Sequence, residues 1–267
     1  MPPTMRLLSL VKSKHFMKYK ALFLDVDSTT VVHGEDNLPS DRVTQAILAC
    51  RKKGVFVSLA TSRTFSTVYR VIEHLGLDGY HVISSGSQLY DATLKKIIVE
   101  KSIPESSIQL IFAAAQKYNA HVKFFDGVKD SHFDGIHIPK KIVDAYFPEI
   151  EPQTLEKIHN DLESVQGIAL HRMDAWNSNF ECLDITHIEA SKFHGVVEVL
   201  KRLCIDMQDV IGIGDGYNDF SLFKACGLKV AMGNAVPELK AIADFVAPTV
   251  EEDGVAVVIE KFRLNRQ

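Results

Sequence analysis

The sequence predicts an α/β protein with a Rossmann-like, doubly wound parallel sheet as its core and an inserted α+β cap domain. Two observations carry this. Near both ends of the chain, short apolar runs alternate with stretches of helical periodicity, the rhythm of a parallel sheet covered on both faces. Between them, from about Ser87 to Thr186, the texture shifts to shorter alternating runs broken by turn signals. The 267 residues, 46% hydrophobic and 24% charged, suffice for a core and a smaller second domain.

Taken in order, "ALFL" (21–24) reads as a buried strand. "SDRVTQAILACRKKG" (40–54) reads as a helix capped by Ser40 and stopped at Gly54, with Val43, Ile47 and Leu48 at helical spacing. "VFVSLATS" (55–62) is a second strand, "TFSTVYRVIEHLG" (64–76) a second helix and "YHVISSG" (80–86) a third strand. Within the insertion, "PESSIQLIFAAAQKY" (104–118) and "PQTLEKIHNDLESV" (152–165) read as helices. "HVKFF" (121–125) reads as a half-buried strand with Phe124 and Phe125 on opposite faces. The α/β rhythm resumes with a helix at 191–203, a strand at 209–216, a helix at 218–227, a strand at 228–233 and a last helix at 251–262. This divides the chain into an N-terminal extension (1–16), a core (17–86 and 187–267) and a cap (87–186).

Composition excludes several classes. A net charge of −4 gives no reason to expect nucleic acid or an anionic membrane as partner. Cys50, Cys182, Cys204 and Cys226 form no CxxC pair and read as reduced thiols of a cytoplasmic protein. No apolar run approaches the roughly 20 residues of a membrane span. The basic segment 1–16 has too short an apolar stretch and no small-residue cleavage site for a signal peptide, and is expected to be mobile or loosely docked.

The chemistry gathers at strand ends. Asp25 and Asp27 close the first strand one residue apart, where they point the same way and need a metal ion, a proton or a cation beside them. In a parallel sheet the carboxyl ends of the strands form the ligand crevice. Thr61 ends the second strand, Asp215 and Asp219 stand in "GIGDGYND", and Lys192 opens the helix that follows the insertion. Several carboxylates, a hydroxyl, an ammonium and a Gly-rich turn suit Mg²⁺ with a phosphate.

The order DxDxT, strand-end hydroxyl, lysine and GDGxND resembles the haloacid dehalogenase superfamily of phosphohydrolases, and within it the Cof-type branch with its large cap. The "SSG" exit from the third strand, "MGNA" (232–235) and "EEDGVA" (251–256) belong to the same resemblance, which spans the chain from Met17 onwards. It implies Asp25 as nucleophile and Asp27 as general acid, then base. It implies Thr61, Lys192 and Asn218 around the phosphate, and Mg²⁺ held by Asp25, the backbone carbonyl of Asp27 and Asp215, with Asp219 supporting. The activity expected is Mg²⁺-dependent hydrolysis of a small phosphorylated metabolite, a sugar phosphate, through an aspartyl-phosphate, by a monomer or homodimer. Phosphomannomutase-like phosphotransfer and a catalytically weak phosphosugar sensor are the alternatives.

Two positions depart from the family's pattern. Ser28 stands where DGT has glycine, and Ser62 where ATGR has glycine; a positive φ at Ser28 would strain the loop that carries Asp27. Arg63 is expected to contact substrate or to pair with an acid. His132, His137, His171 and His187 lack metal-ligand spacing and read as ordinary surface or core residues. His171, Arg172, Trp176, Asn177 and Asn179 form a mixture suited to lining a polyol or sugar pocket.

Overall fold

The computed structural model describes residues 19–32, 37–174, 179–262 and 264; the expectations for residues 1–16, Trp176 and Asn177 lie outside these. Strand β1 (Ala21–Leu24) runs through the centre of the core sheet with all four side chains fully buried, as an unbroken apolar run must when both faces are covered. Ser40 caps α1 (Asp41–Lys52), its Oγ accepting the Val43 N–H at 3.2 Å, and Val43, Ile47 and Cys50 turn inward. Next come β2 (Phe56–Leu59), α2 (Phe65–His74) and β3 (Tyr80–Ile83).

Strand β4 (Gln88–Asp91) folds back antiparallel on β3, and β5 (Lys96–Glu100) pairs antiparallel with β4. Their alternating pattern resembles the insertion's, but Leu89 and Tyr90 are buried in the apolar cluster that holds β1, β2 and β3. The second apolar cluster begins only at Ile103. We therefore propose a core–cap boundary near Lys101 rather than at residue 87.

The insertion contains α3 (Glu105–Lys117), β6 (Lys123–Phe125), β7 (Asp130–His132), β8 (Asp144–Ile150), α4 (Pro152–Leu162), β9 (Ile168–Asp174) and β10 (Glu181–His187). Its strands form an antiparallel sheet in the order β7-β6-β8-β10-β9. Residues directly opposite in such a ladder share a face. Ala145, Phe147, Leu183 and Ile185 lie on the face that packs with Ile108, Phe112, Leu155 and Ile158 of the two helices. Asp144, Tyr146, Asp184, Thr186 and His171 occupy the other, polar face.

The core is completed by α5 (Lys192–Leu203), β11 (Val210–Gly214), α6 (Asp219–Lys224), β12 (Leu228–Ala231), α7 (Pro237–Ala241), β13 (Phe245–Val246) and α8 (Gly254–Lys261). The parallel order is β13-β12-β11-β1-β2, and an Ala60–Val82 bridge sets β3 beside β2. The doubly wound α/β core with an antiparallel α+β insertion is thus the fold that the sequence predicts. Elements α7 and β13 are too short to show a period in the sequence. The last helix starts at Gly254, not Glu251, because Val250–Glu252 wind as a 3₁₀ turn and Asp253 takes φ 57°. No helix among the described residues is long and apolar enough to cross a membrane.

Two close approaches set the crevice. A Cβ at Gly195 would lie 2.3 Å from Val82 Cγ1, so glycine lets α5 press onto β3 and deliver its first turn to the strand ends. A Cβ at Gly214 would lie 2.3 Å from the Asp219 Cγ, so glycine there admits the Asp219 carboxylate beneath the β11 exit.

Candidate active site

Asp25 continues the β1 ladder by one residue, its N–H donating to Ile213 O at 3.0 Å. The chain then turns sharply. The N–H groups of Thr30 and Val31 donate to Val26 O, each at 2.9 Å, and the Thr30 hydroxyl donates to Asp25 O at 2.5 Å. Closing this turn puts Ser28 at φ 55°, the left-handed region where a Cβ is strained. The Ser28 carbonyl is held by Asn234 Nδ2 at 2.7 Å, while Asn234 Oδ1 accepts the Val250 N–H at 2.9 Å. The "MGNA" segment thereby ties the loop after β1 to the 3₁₀ turn before α8. Substituting Ser28→Gly should relieve strain and raise stability by up to about 1 kcal/mol, glycine's greater unfolded-state freedom offsetting part of it. Denaturant unfolding that shows a loss instead would contradict this account of the turn.

Lys192 is fully buried at the start of α5, where Ser191 Oγ caps the helix by accepting the His194 N–H. Its ammonium donates to Asp25 Oδ1 at 2.6 Å and to Asp219 Oδ1 at 2.7 Å. No described residue donates to Asp25 Oδ2. Asp219 Oδ2 accepts the N–H groups of Asp215 at 2.9 Å and Gly216 at 3.0 Å, so this carboxylate also fixes the β11–α6 loop. Asp215 Oδ1 accepts from the Thr29 hydroxyl at 2.6 Å, linking the two strand ends directly. Carboxylate oxygens of Asp25, Asp215 and Asp219 all lie within 4.8 Å of one another.

Three carboxylates around one ammonium leave excess negative charge in a desolvated place. Burial pushes Asp25 up to about 8, with Asp219 and Asp215 adding to the effect against the pull of Lys192. Burial likewise raises Asp215 to about 6, the Thr29 hydroxyl opposing and Asp219 reinforcing. Burial alone would lower Lys192, but Asp219 and Asp25 more than offset it and hold the ammonium charged above its ordinary range. An all-oxygen anionic set of this kind fits a hard divalent cation such as Mg²⁺.

The sign of the pH dependence follows. The raised carboxyl groups bind protons in the folded state that the unfolded chain releases, so chelated protein should lose stability as pH rises from the ordinary carboxylate value of 3.8 towards about 8. Metal ligands must be deprotonated, so Mg²⁺ should stabilise progressively more across the same window. Thermal melts with chelator and with Mg²⁺ at several pH values measure both; a Mg²⁺ increment that shrinks with rising pH would contradict this.

Asp27 stands apart from the carboxylate cluster. Arg63 forks it, Nε donating to Oδ2 at 2.9 Å and Nη2 to Oδ1 at 2.7 Å, with the guanidinium itself buried. Thus the Asp27 carboxylate is not among the clustered ligand atoms. Thr61 is buried at the end of β2, its Oγ1 accepting the Arg63 N–H at 3.1 Å; the cap of α2 is Thr64. Ser62 Oγ accepts from Asn218 Nδ2 at 3.0 Å, joining the β2 end to the β11–α6 loop. Ser62 is not in the left-handed region, so its backbone does not require glycine. A cavity of about 310 Å³ opens here, lined by Ser62, Lys192 and Asn218 together with Asp184 and His171 of the cap sheet. A second cleft, of about 360 Å³, lies beside Lys101, Glu189 and His194 and holds none of the expected site residues.

The expected residues Asp25, Lys192, Asp215 and Asp219 therefore meet through direct bonds, while Thr61, Asn218 and Asp27 flank them. The histidines stay apart: His132 pairs with His121 at 3.0 Å, His137 with Asp134 at 2.7 Å, and His171 with Thr186 at 3.3 Å, while His187 Nδ1 accepts the Glu189 N–H at 3.0 Å. Sequence reasoning missed Thr29 and Asn234 as supports and left Arg63 undecided. The signal for Arg63 was its place two residues beyond a strand-end hydroxyl.

Comparison with known proteins bears on this site. A family model described as haloacid dehalogenase-like hydrolase matches residues 22–165 and 127–259. The Bacillus subtilis 5-amino-6-(5-phospho-D-ribitylamino)uracil phosphatase YcsE is 27% identical over 254 residues, covering 92% of this chain and 96% of the relative. Among solved structures, the phosphatase BT1666 from Bacteroides thetaiotaomicron superposes with a TM-score of 0.79 at 21% identity, over 96% of this chain and 99% of that one. The subclass IIB sugar phosphatase BT4131 superposes with a TM-score of 0.76 at 21% identity, over 92% and 99%.

Proposed function

Since the chain belongs to the haloacid dehalogenase-like hydrolases, in their Cof-type branch, we propose that it is a Mg²⁺-dependent phosphatase that transfers the phosphoryl group of a small metabolite to Asp25 and then to water. The observation that carries this reading is the burial of Lys192 between Asp25 and Asp219, with a third carboxylate, Asp215, at the same point. Such an arrangement is unfavourable for stability alone and suits a site that binds a cation and an anion together.

In the first step an oxygen of Asp25 forms a bond to phosphorus as the ester P–O bond breaks, and Asp27 gives its proton to the departing alcohol oxygen. In the second, water bonds to phosphorus, Asp27 takes the water's proton, and the Asp25–phosphorus bond breaks to free inorganic phosphate. Lys192 balances the Asp25 charge and faces the phosphoryl oxygens, with Thr61 and Asn218 as further donors. Asp25, Asp215 and the Asp27 carbonyl are the groups to hold Mg²⁺, with Asp219 behind them; when bound, the ion lowers the repulsion between the carboxylate and the phosphoryl oxygens. Phosphate monoesters are among the slowest of uncatalysed hydrolyses, so both charge neutralisation and positioning are required.

The fork from Arg63 sets the plane of the Asp27 carboxylate, and lysine cannot reproduce it. Arg63→Lys should therefore slow alkyl phosphates, whose leaving oxygen needs a proton, by about 10-fold or more, and p-nitrophenyl phosphate much less. Equal losses on both esters would place Arg63 outside proton transfer. The proposal as a whole is tested by assaying a panel of phosphorylated metabolites with Mg²⁺ and with chelator. Free phosphate released only with the metal supports it. A product that keeps the phosphoryl group on a sugar would indicate a mutase, and binding without turnover a sensor.

A further inference from the structure

The β6–β7 hairpin of the insertion carries a pair of imidazoles that the site at Lys192 does not use. The ladder sets Lys123 opposite His132, and the Phe133 N–H extends it by donating to Val122 O at 3.0 Å. Side chains two residues apart along a strand share a face, so His121 stands with Lys123 and His132, one diagonal step from His132. The rings meet there: His121 Nε2 and His132 Nδ1 lie 3.0 Å apart, with ring centroids 5.0 Å apart. We propose that His121 and His132 together bind a divalent transition cation of the Cu²⁺ or Ni²⁺ class, at a site distinct from the carboxylate cluster around Asp25.

Geometry gives the first support. Two metal–imidazole bonds of about 2.0–2.1 Å, with their nitrogens 3.0 Å apart, subtend about 90–100° at the metal. That is the angle between adjacent corners of a tetragonal site, which Cu²⁺ and Ni²⁺ favour. A tetrahedral ion such as Zn²⁺ needs the nitrogens about 3.3–3.4 Å apart. Both histidines are exposed, so small turns of the rings redirect their lone pairs from each other towards a shared ion. The backbone beneath them is fixed. Asp126 Oδ1 closes the hairpin turn by accepting the Val128 and Lys129 N–H groups at 2.8 and 2.9 Å, and on the opposite face Phe124 and Phe133 pack against Phe112.

The second support is the state of the rings. A hydrogen bond between two imidazoles needs one neutral ring as acceptor, and a metal needs both neutral. Burial first, then the neighbouring His132 and Lys123, holds His121 below the ordinary imidazole range, so protons compete weakly for its lone pair. Imidazole nitrogen takes borderline cations, whereas the all-oxygen set of Asp25, Asp215 and Asp219 suits Mg²⁺, so the two sites sort metals by ligand type. Among the described residues no third His, Cys, Asp or Glu offers a ligand atom within 4.8 Å of both nitrogens, which leaves the other coordination positions to water. The chain spacing of the two histidines carries no metal motif, because a hairpin separates them and only its register brings them together. Neither lines the 310 Å³ cavity, so the site stands independently of the phosphatase reading.

Calorimetric titration of the intact, untagged protein with Ni²⁺ in excess Mg²⁺ tests this with no assay of turnover. Ni²⁺ is the suitable probe because, unlike Cu²⁺, it does not oxidise the exposed Cys204 thiol. The unaltered protein should show a saturable step of one Ni²⁺ per chain. His121→Ala and His132→Ala should each weaken it by about 10-fold or more, since losing a ligand costs at least what losing a partner behind a ligand does. His137→Ala should leave the step within about 2-fold, and Ni²⁺ should raise the melting temperature of the unaltered protein but not of the two ligand variants. Melting temperatures without metal report that the variants fold. Equal Ni²⁺ affinity in the unaltered protein and both ligand variants, or no saturable step at all, would overturn the proposal.

Discussion

Turnover of phosphate esters should fall by about 10⁴-fold or more in Asp25→Asn, the scale of loss when a covalent nucleophile is removed. The amide keeps the size of the carboxylate but cannot form the acyl phosphate. The fold should survive, because Lys192 retains Asp219 at 2.7 Å and the backbone N–H of Asp25 stays bonded to Ile213. The same substitution should not destabilise the chelated protein at neutral pH. Crowding by burial and by Asp219 and Asp215 pushes the Asp25 carboxyl up to about 8, so a neutral side chain at this position relieves repulsion. Loss of activity with an equal or higher melting temperature is the paired result expected. Residual turnover within an order of magnitude of the unaltered enzyme would mean that another group attacks phosphorus.

Lys192→Met should produce the largest loss of stability at the site, about 3–5 kcal/mol, the range for breaking a buried ion pair by removing one partner. Asp25 and Asp219 would remain in the interior with no ammonium between them, and the methionine stem cannot supply a hydrogen bond. Activity should be lost as well, since under the proposed mechanism Lys192 would both balance Asp25 and face the phosphoryl oxygens. Exposed lysines offer the contrast: substitutions at the surface usually change stability by about 0.5 kcal/mol or less. Urea unfolding of the chelated proteins separates the two cases, and an unchanged midpoint for Lys192→Met would show that the pairing is not a structural requirement.

The sequence carried the core fold because its strands are covered on both faces and read as unbroken apolar runs. β1 is the clearest case, with all four side chains at 0% exposure. The hairpin at 88–100, which we propose to assign to the core, reads as part of the insertion because antiparallel alternation looks the same whichever apolar cluster buries it. The acidic residues were legible as a set because each terminates a strand or opens a helix, where a carboxylate has no packing reason to be. What connects them was not legible. Thr29 reaching Asp215 across 186 positions, and Asn234 bracing Ser28 across 206, depend on where the β1 and β11 exits meet in space. Ser28 was flagged through the glycine it replaces, and its φ of 55° places it in the strained region. Ser62 was flagged in the same way, and its backbone proves ordinary.

The stereochemistry of phosphoryl transfer tests the central claim most directly. A phosphorothioate ester made chiral at phosphorus with two oxygen isotopes and hydrolysed in water carrying the third releases a chiral inorganic thiophosphate, whose configuration, read by magnetic resonance, distinguishes one displacement from two. Attack by Asp25 followed by attack by water inverts the centre twice, so the account predicts overall retention. Overall inversion would mean that water attacks the substrate directly, and Asp25 would then not be the nucleophile.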